Sequence, residues 1–313
     1  MKILVTGVGG FIGYHVAQKL LNDLHLVIGI DNLNDYYNPK LKNININSLK
    51  MHDNFVFHNE DIRDTKAIDE FNPDKVIHLA AMAGVRYSLK NPTLYCNVNV
   101  EGTVNLLEQA KNNDVKLFVY ASSSSVYGNK SGMFSETDVL NPPESMYAAT
   151  KRSKEMMADL YHRLYGLRVI GLRFFTVYGP RGRPDMAPRK FMERIMNGEE
   201  IDKYGDGTSY RSYTYIDDIV DGVIGALNSD LENEVINLGN DSVCSLNEFI
   251  EIIERITKRK AVINQMGDQK GDVKGTYANI DKARKLINFD PKINLEKGLS
   301  ELYRYLCEIK GNI

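Results

Sequence analysis

A doubly wound parallel α/β sheet with a smaller C-terminal α/β lobe is the fold predicted by this sequence, on three observations. Short β-branched apolar runs alternate with amphipathic helical segments up to about residue 173. A glycine turn, Gly7-Val8-Gly9-Gly10-Phe11-Ile12-Gly13, joins the first run to the first helix, and an acid, Asp31, directly follows the second run. The chain has 313 residues, 43% hydrophobic and 26% charged, enough for one large core and a smaller lobe.

In chain order, the expected strands are residues 2–6, 26–30, 54–57, 75–79, 116–121 and 168–173. Helices with apolar residues at three- and four-residue spacing are expected over 11–21, 64–71, 93–112 and 145–165. The last two are long enough to present large outer faces, which are expected either to pair with a second copy of the chain as a homodimer or to be covered by the chain's own C-terminal part. After Tyr178-Gly179-Pro180 the elements shorten and turns multiply. The expected division is therefore 1–175 for a dinucleotide-binding domain and 176–313 for a substrate domain, with the chain crossing between them.

A formal charge of −2 and the lack of a basic run give no general attraction for nucleic acid or a membrane surface. No apolar stretch reaches the roughly 18 residues of a spanning helix, and the first apolar run is too short for an export signal. Cys96, Cys244 and Cys307 are odd in number and far apart, which predicts a reducing cytoplasm rather than disulfides, and six scattered histidines predict no metal site.

The glycine turn carries the first chemistry. Gly7, Gly10 and Gly13 fall where a strand-to-helix turn lets a pyrophosphate approach the backbone, and the helix N-terminus offers unpaired N–H groups and positive dipole. Asp31, after the second strand, is the expected ribose acceptor. A carboxylate there repels the additional phosphate of NADP, so the predicted cofactor is NAD in a Rossmann-like domain.

At the carboxyl end of the fifth strand stand four hydroxyls, Ser122-Ser123-Ser124-Ser125, and the next long helix opens with Tyr147-Ala148-Ala149-Thr150-Lys151. Tyrosine and lysine four residues apart share a helix face. A phenol near its reference pKa of about 10 is a poor base at neutral pH until positive charge favours the phenolate. Lys151 supplies that charge, and a serine beside the phenol completes a proton relay to a substrate oxygen.

Together, these motifs resemble the extended short-chain dehydrogenase/reductase family, and in particular its nucleotide-sugar epimerases. Asp31-Asn32-Leu33-Asn34-Asp35-Tyr36-Tyr37, Ala83-Gly84-Val85-Arg86-Tyr87-Ser88 and Arg173-Phe174-Phe175-Thr176-Val177-Tyr178-Gly179-Pro180 extend the resemblance nearly end to end. They are more similar to UDP-glucuronate 4-epimerases than to UDP-glucose 4-epimerases, in which an asparagine commonly stands where Thr176 is.

The resemblance implies that Tyr147 is the general base, Lys151 its electrostatic partner and a ribose ligand, and Ser123 the hydroxyl bridging to the sugar. It implies NAD contacts from Phe11, Ile12 and Asn32, from Asp61 and Ile62 at the adenine, from Leu79, Ala80, Ala81 and Asn99, and from Ser122 and Phe174. For a UDP-sugar it implies Arg86, Ser124, Thr176, Arg183, Lys190, Tyr204, Arg211 and Asp272. The chain departs from its relatives after Asp272, in Lys274-Gly275-Thr276-Tyr277.

Relatives that eliminate water resemble one another in an acidic pair at the serine run, and uronate decarboxylases in a glutamate where Ser125 stands. This chain has serines at those places, which favours return of hydride to an unbroken sugar. The expected reaction is thus NAD-dependent 4-epimerisation of UDP-glucuronate to UDP-galacturonate through a transient 4-keto sugar. A neutral UDP-hexose epimerase, a UDP-glucuronate decarboxylase and a non-catalytic NAD-binding scaffold are the competing readings.

Overall fold

A computed structural model describes residues 1–267 and 274–310. Seven parallel strands form one sheet in the order Asn233–Leu238, β6 (Val169–Phe174), β5 (Leu117–Ser123), β4 (Lys75–His78), β1 (Lys2–Thr6), β2 (Leu26–Ile30), β3 (Phe55–His58). The strand order reverses between β1 and β4, which opens a crevice at the carboxyl ends. The strands read as unbroken apolar runs because helices cover both faces; β5 and β6 are buried at every position.

The seventh strand comes from the C-terminal half of the chain, as does the helix Ile216–Leu227, which packs against Phe11–Asn22 and β5. One buried apolar cluster runs from Val5 and Val119 through Phe174 and Phe175 to Phe249. The two lobes therefore share a core. The rest of the C-terminal part consists of small sheets, Thr176–Tyr178 with Tyr213–Tyr215, Glu200–Tyr204 with Val262–Met266, and Tyr210–Arg211 between Cys244–Ser245 and Gly275–Thr276, carried by the helices Ala187–Asn197, Leu246–Thr257, Asp281–Ile287 and Leu295–Lys310.

Several elements differ from the periodicity reading. The segment read as one helix over 93–112 is Pro92–Cys96, a π-helical turn Asn97–Glu101 and Gly102–Asn112. The wide turn surrounds Asn99, whose amide accepts from the Met82 N–H and donates to the Met82 carbonyl and the Thr150 hydroxyl. π-Turns of this kind collect at functional sites. Two unforeseen helices, Pro39–Leu49 and Val85–Lys90, flank the crevice. The first is poorly amphipathic, and its start is marked instead by Asn38 capping Lys40 N–H with proline at the first helical position.

Candidate active site

A cleft of about 1440 Å³ follows the carboxyl ends of the strands and continues between the lobes. At its N-terminal end Gly7 has φ +75°, and a Cβ there would lie 2.7 Å from the Ala80 nitrogen. A Cβ on Gly13 would lie 2.1 Å from the Gly7 carbonyl oxygen. The helix Phe11–Asn22 begins at Gly10 without a side-chain cap, so its first N–H groups face the cleft as a ready anion site. Gly13→Ala is accordingly expected to push turn and helix apart and to abolish retention of a pyrophosphate-bearing cofactor. The check is absorbance at 260 nm of purified protein, which should fall to that of the polypeptide alone.

Asp31 is buried, its carboxylate accepting from the Gly9 and Leu33 N–H groups. Burial pushes its pKa up, against the charge of Lys42 and those two hydrogen bonds. Lys42 is a contributor that periodicity missed: it is 4% exposed, donates to the Asn34 carbonyl and side chain, and lines the cleft. The Asn38-Pro39 start signal identifies the helix that carries it. Two carboxylate oxygens on a surface of backbone N–H groups, an uncapped helix and a turn without room for Cβ atoms fit an NAD ribose and pyrophosphate.

Most residues expected at the cofactor end line this cleft. They include Gly7, Gly10, Phe11, Ile12 and Gly13 in the turn; Asn32 and Ile62; Leu79, Ala80 and Ala81; and Ser122 and Phe174. Asp61 and Asn99 do not line it. Asp61 is held to about pKa 2, chiefly by hydrogen bonds from Arg63, and it accepts from Asn32. Asn99 is wholly buried behind the wall as the fastener described above. Ser122 has its hydroxyl committed to Glu155 at 2.5 Å.

In the middle of the cleft, β5 delivers Ser123 and the helix Met146–Tyr165 delivers Tyr147 and Lys151. That helix starts at Ser145, whose hydroxyl accepts from Ala148 N–H. Burial pushes the Tyr147 phenol up, while its hydrogen bond with Ser123 and the charge of Arg183 pull it down. The Lys151 amine stands 5.6 Å from the Tyr147 ring centroid and donates to the Ala121 carbonyl at 2.9 Å. Lys151 is 2% exposed, and burial, partly offset by Glu155, lowers its pKa to about 8. It therefore stays mostly protonated at pH 7.

Ser124 and Thr176 line the cleft beside Ser123, and Arg183, Lys190, Tyr204 and Arg211 line it further on. Arg183 forms a two-point ion pair with Asp185 at 2.9 and 2.5 Å and also meets the Tyr36 hydroxyl, which donates to Asp185. Burial alone would raise Asp185; the Arg183 hydrogen bonds outweigh it and hold the carboxyl low. Arg86 lies 5.2 Å over the Tyr204 ring and spans the cleft between the lobes. Lys190 sits 3.9 Å from Asp202. Asp272 lies outside the described residues. Tyr36 belongs to a segment already noted in the sequence, but only the fold shows that it meets Asp185.

The sequence family described as GDP-mannose 4,6 dehydratase matches residues 4–302. A UDP-glucuronate 4-epimerase of Thermodesulfobacterium geofontis is 46% identical over 97% of this chain and 96% of its own. The crystal structure of UDP-glucuronic acid 4-epimerase from Bacillus cereus, in complex with UDP-glucuronic acid and NAD, superimposes with a TM-score of 0.95 at 40% identity, covering 99% of this chain and 100% of that one. A UDP-glucose 4-epimerase of Thermotoga maritima with UDP-glucose gives 0.91 at 33% identity, covering 99% and 100% of the two chains.

Proposed function

Since the chain belongs to the GDP-mannose 4,6-dehydratase family within the extended short-chain dehydrogenases/reductases, we propose that it is an NAD-dependent 4-epimerase interconverting UDP-glucuronate and UDP-galacturonate. The observation that carries this reading is the junction of Ser123, Tyr147 and Lys151 midway between a dinucleotide cradle and a basic far wall. NAD, when bound, supplies the hydride acceptor and donor. The remaining steps belong to side chains of this protein.

Tyr147 takes the proton of the sugar 4-hydroxyl and returns it after the ring has turned over. Its phenolate is favoured by the Lys151 ammonium and by Arg183, and Ser123 bridges phenol and sugar oxygen. Arg183, Lys190 and Arg211 face the UDP diphosphate, with Tyr204 and Arg86 near the nucleotide. This division of contacts rests on charge and on position along the cleft.

A 4-keto-uronate is a β-keto acid and loses carbon dioxide when its carboxylate aligns with the carbonyl π system. We assign Ser123, Ser124 and Thr176, which line one stretch of the cleft, to hold the carboxylate near the ring plane. Ser124→Ala and Thr176→Val are each expected to speed loss of carbon dioxide from the keto sugar about tenfold, the worth of one hydrogen bond to a charged group, and so to bring UDP-pentose into the product. Product ratios by NMR that stay at the native value would remove both residues from this role.

The outer helices leave Met156, Leu160 and Leu164 exposed at four-residue spacing, by 67%, 40% and 60%. This stripe supports the homodimer expected from helix length, with sedimentation at twice the chain mass of 35.5 kDa as its check. No described helix is long and apolar enough to cross a membrane, and three unpaired cysteines support a working place in the cytoplasm.

The functional test is incubation with UDP-glucuronate or UDP-glucose without added NAD, followed by NMR. UDP-galacturonate formed from the first at a much higher rate supports the reading; turnover of UDP-glucose alone contradicts it.

A further inference from the structure

Lys154, three residues beyond Lys151, is wholly buried, and no carboxylate accompanies it among the described residues. Its amine lies 2.9 Å from His78 Nε2, and His78, at the end of β4, is equally buried. Burying a lone ammonium costs several kcal/mol. Such an amine is either a functional device or an uncharged one, and the surrounding hydrogen bonds decide its state.

The Thr103 hydroxyl donates to the Asn99 carbonyl at 2.6 Å, so its oxygen presents lone pairs to His78 Nε2 at 3.0 Å. Nε2 therefore carries the imidazole hydrogen, shared between Thr103 Oγ1 and the lone pair of the Lys154 nitrogen. His78 Nδ1 is then bare and accepts from the Thr6 hydroxyl at 2.8 Å. The Thr6 oxygen in turn accepts from the Ala80 N–H at 3.1 Å. Every donor of Thr103, His78, Thr6 and Ala80 in this chain finds an acceptor, and the two hydrogens of the uncharged Lys154 amine are left over.

The charged alternative reverses the imidazole. An ammonium donating to Nε2 forces the hydrogen onto Nδ1, which then donates to the Thr6 oxygen alongside the Ala80 N–H and fills both of its lone pairs. The Thr6 hydrogen is left without an acceptor in this network, and Thr103 faces Nε2 lone pair to lone pair. Two ammonium hydrogens lack acceptors, as two amine hydrogens do in the uncharged arrangement, but an unsatisfied donor that carries charge costs more than the about 1–3 kcal/mol of a neutral one.

We propose that Lys154 is an uncharged amine in the folded protein and acts as a positioning residue. With Thr103 it holds the His78 tautomer, and through Thr6 the Ala80 loop of the cofactor cradle, without adding a further cation to Lys151 and Arg183 beside Tyr147. The groups with titratable protons that act on it are Lys151 from its own helix and His78 from β4, while Thr103 and Thr6 complete its surroundings. Burial, and then the charge of Lys151, pull the Lys154 pKa well down, in agreement with the hydrogen bonds. A tyrosine that must give its proton back is better served by one neighbouring ammonium than by two.

The proposal rests on the cofactor reading of this cleft, so its test includes one arm that needs no cofactor. Native protein, Lys154→Gln and Lys154→Met are compared in three measurements. In the first, on NAD-free protein, the sign follows from a basic group whose folded pKa is depressed. The unfolded chain binds the extra proton below about pH 10.4, so stability rises with pH. Relative to Lys154→Gln, the native unfolding constant is expected to fall by up to tenfold per pH unit between pH 7 and 9.

In the second, NAD binding is expected to weaken about two- to tenfold in Lys154→Met, which removes an acceptor, and to be restored toward native in Lys154→Gln, whose amide oxygen replaces it. In the third, the acid limb of kcat/KM stays within about 0.2 pH unit in both variants, because no cation has been lost. A stability difference that is flat with pH, or an acid limb raised by about a unit in both variants, overturns the proposal. Flat NAD affinity across all three proteins, with the pH-dependent stability intact, overturns the link to the cofactor loop alone. If Lys154→Met does not fold, the stability and pH-profile arms stand on Lys154→Gln.

Discussion

Tyr147→Phe is expected to lower kcat by about 10²–10⁴-fold, the range for loss of a positioned general base, while NAD and the UDP-sugar remain bound. In the proposed reaction the phenol oxygen is the group whose proton moves. The ring itself packs edge-on against Tyr95 with centroids 6.3 Å apart, and phenylalanine keeps that contact and its volume. Tm should therefore change by no more than a degree or two. Because the loss falls in the chemical step, sugar-nucleotide affinity measured by calorimetry should stay within about threefold of native. A variant that keeps a tenth or more of native turnover would mean that another group handles the proton, with Ser123 the first to be tested.

The second large effect is on stability. Glu155 and Arg173 form a two-point ion pair at 2.9 and 2.8 Å with side chains only 9% and 6% exposed. Ser122 donates to the same carboxylate, and the guanidinium lies 4.7 Å over the Tyr127 ring. Glu155→Leu leaves a buried guanidinium without its anion and a serine without its acceptor. The expected cost is about 3–5 kcal/mol, read from denaturant midpoints. The double variant Glu155→Leu with Arg173→Met is expected to recover most of that loss, since the penalty is the stranded charge rather than lost attraction. Additive losses in the double variant would place the effect in packing instead.

These two predictions mark where the sequence was readable. Tyr147, Lys151 and the serine run stand at element starts and ends, where capping residues and abrupt changes of period announce the turn. The buried parallel strands are likewise plain, because a strand covered on both faces is a short unbroken apolar run. Glu155 and Arg173 could not be read in this way. A glutamate at a helix position one turn beyond Lys151 looks like a solvated face until β6 is known to run beside that helix. Lys154 and His78 are 76 residues apart in sequence and meet only in the fold.

Lys42 was hidden for a different reason. The helix Pro39–Leu49 buries Lys42, Asn45, Ile46 and Leu49, a half-polar set that leaves little apolar period. The segment over 93–112 was visible as helix, yet its π-turn depends on the Asn99 amide reaching Met82, a contact that local spacing does not encode. The strand Asn233–Leu238 and the helix before it join the N-terminal sheet for similar reasons. Their partners β6 and Phe11–Asn22 are decided by the shared core rather than by any nearby signal.

The central claim is that hydride leaves C4 and returns to the opposite face of the same, unbroken sugar, with Tyr147 lending and recovering the proton. UDP-glucuronate deuterated at C4, incubated with the protein in ordinary water and followed by NMR and mass spectrometry, tests it most directly. The account predicts UDP-galacturonate that retains the deuterium at C4, with no labelled cofactor released and no UDP-pentose. Deuterium lost to solvent, or carbon dioxide released with a pentose product, would contradict it.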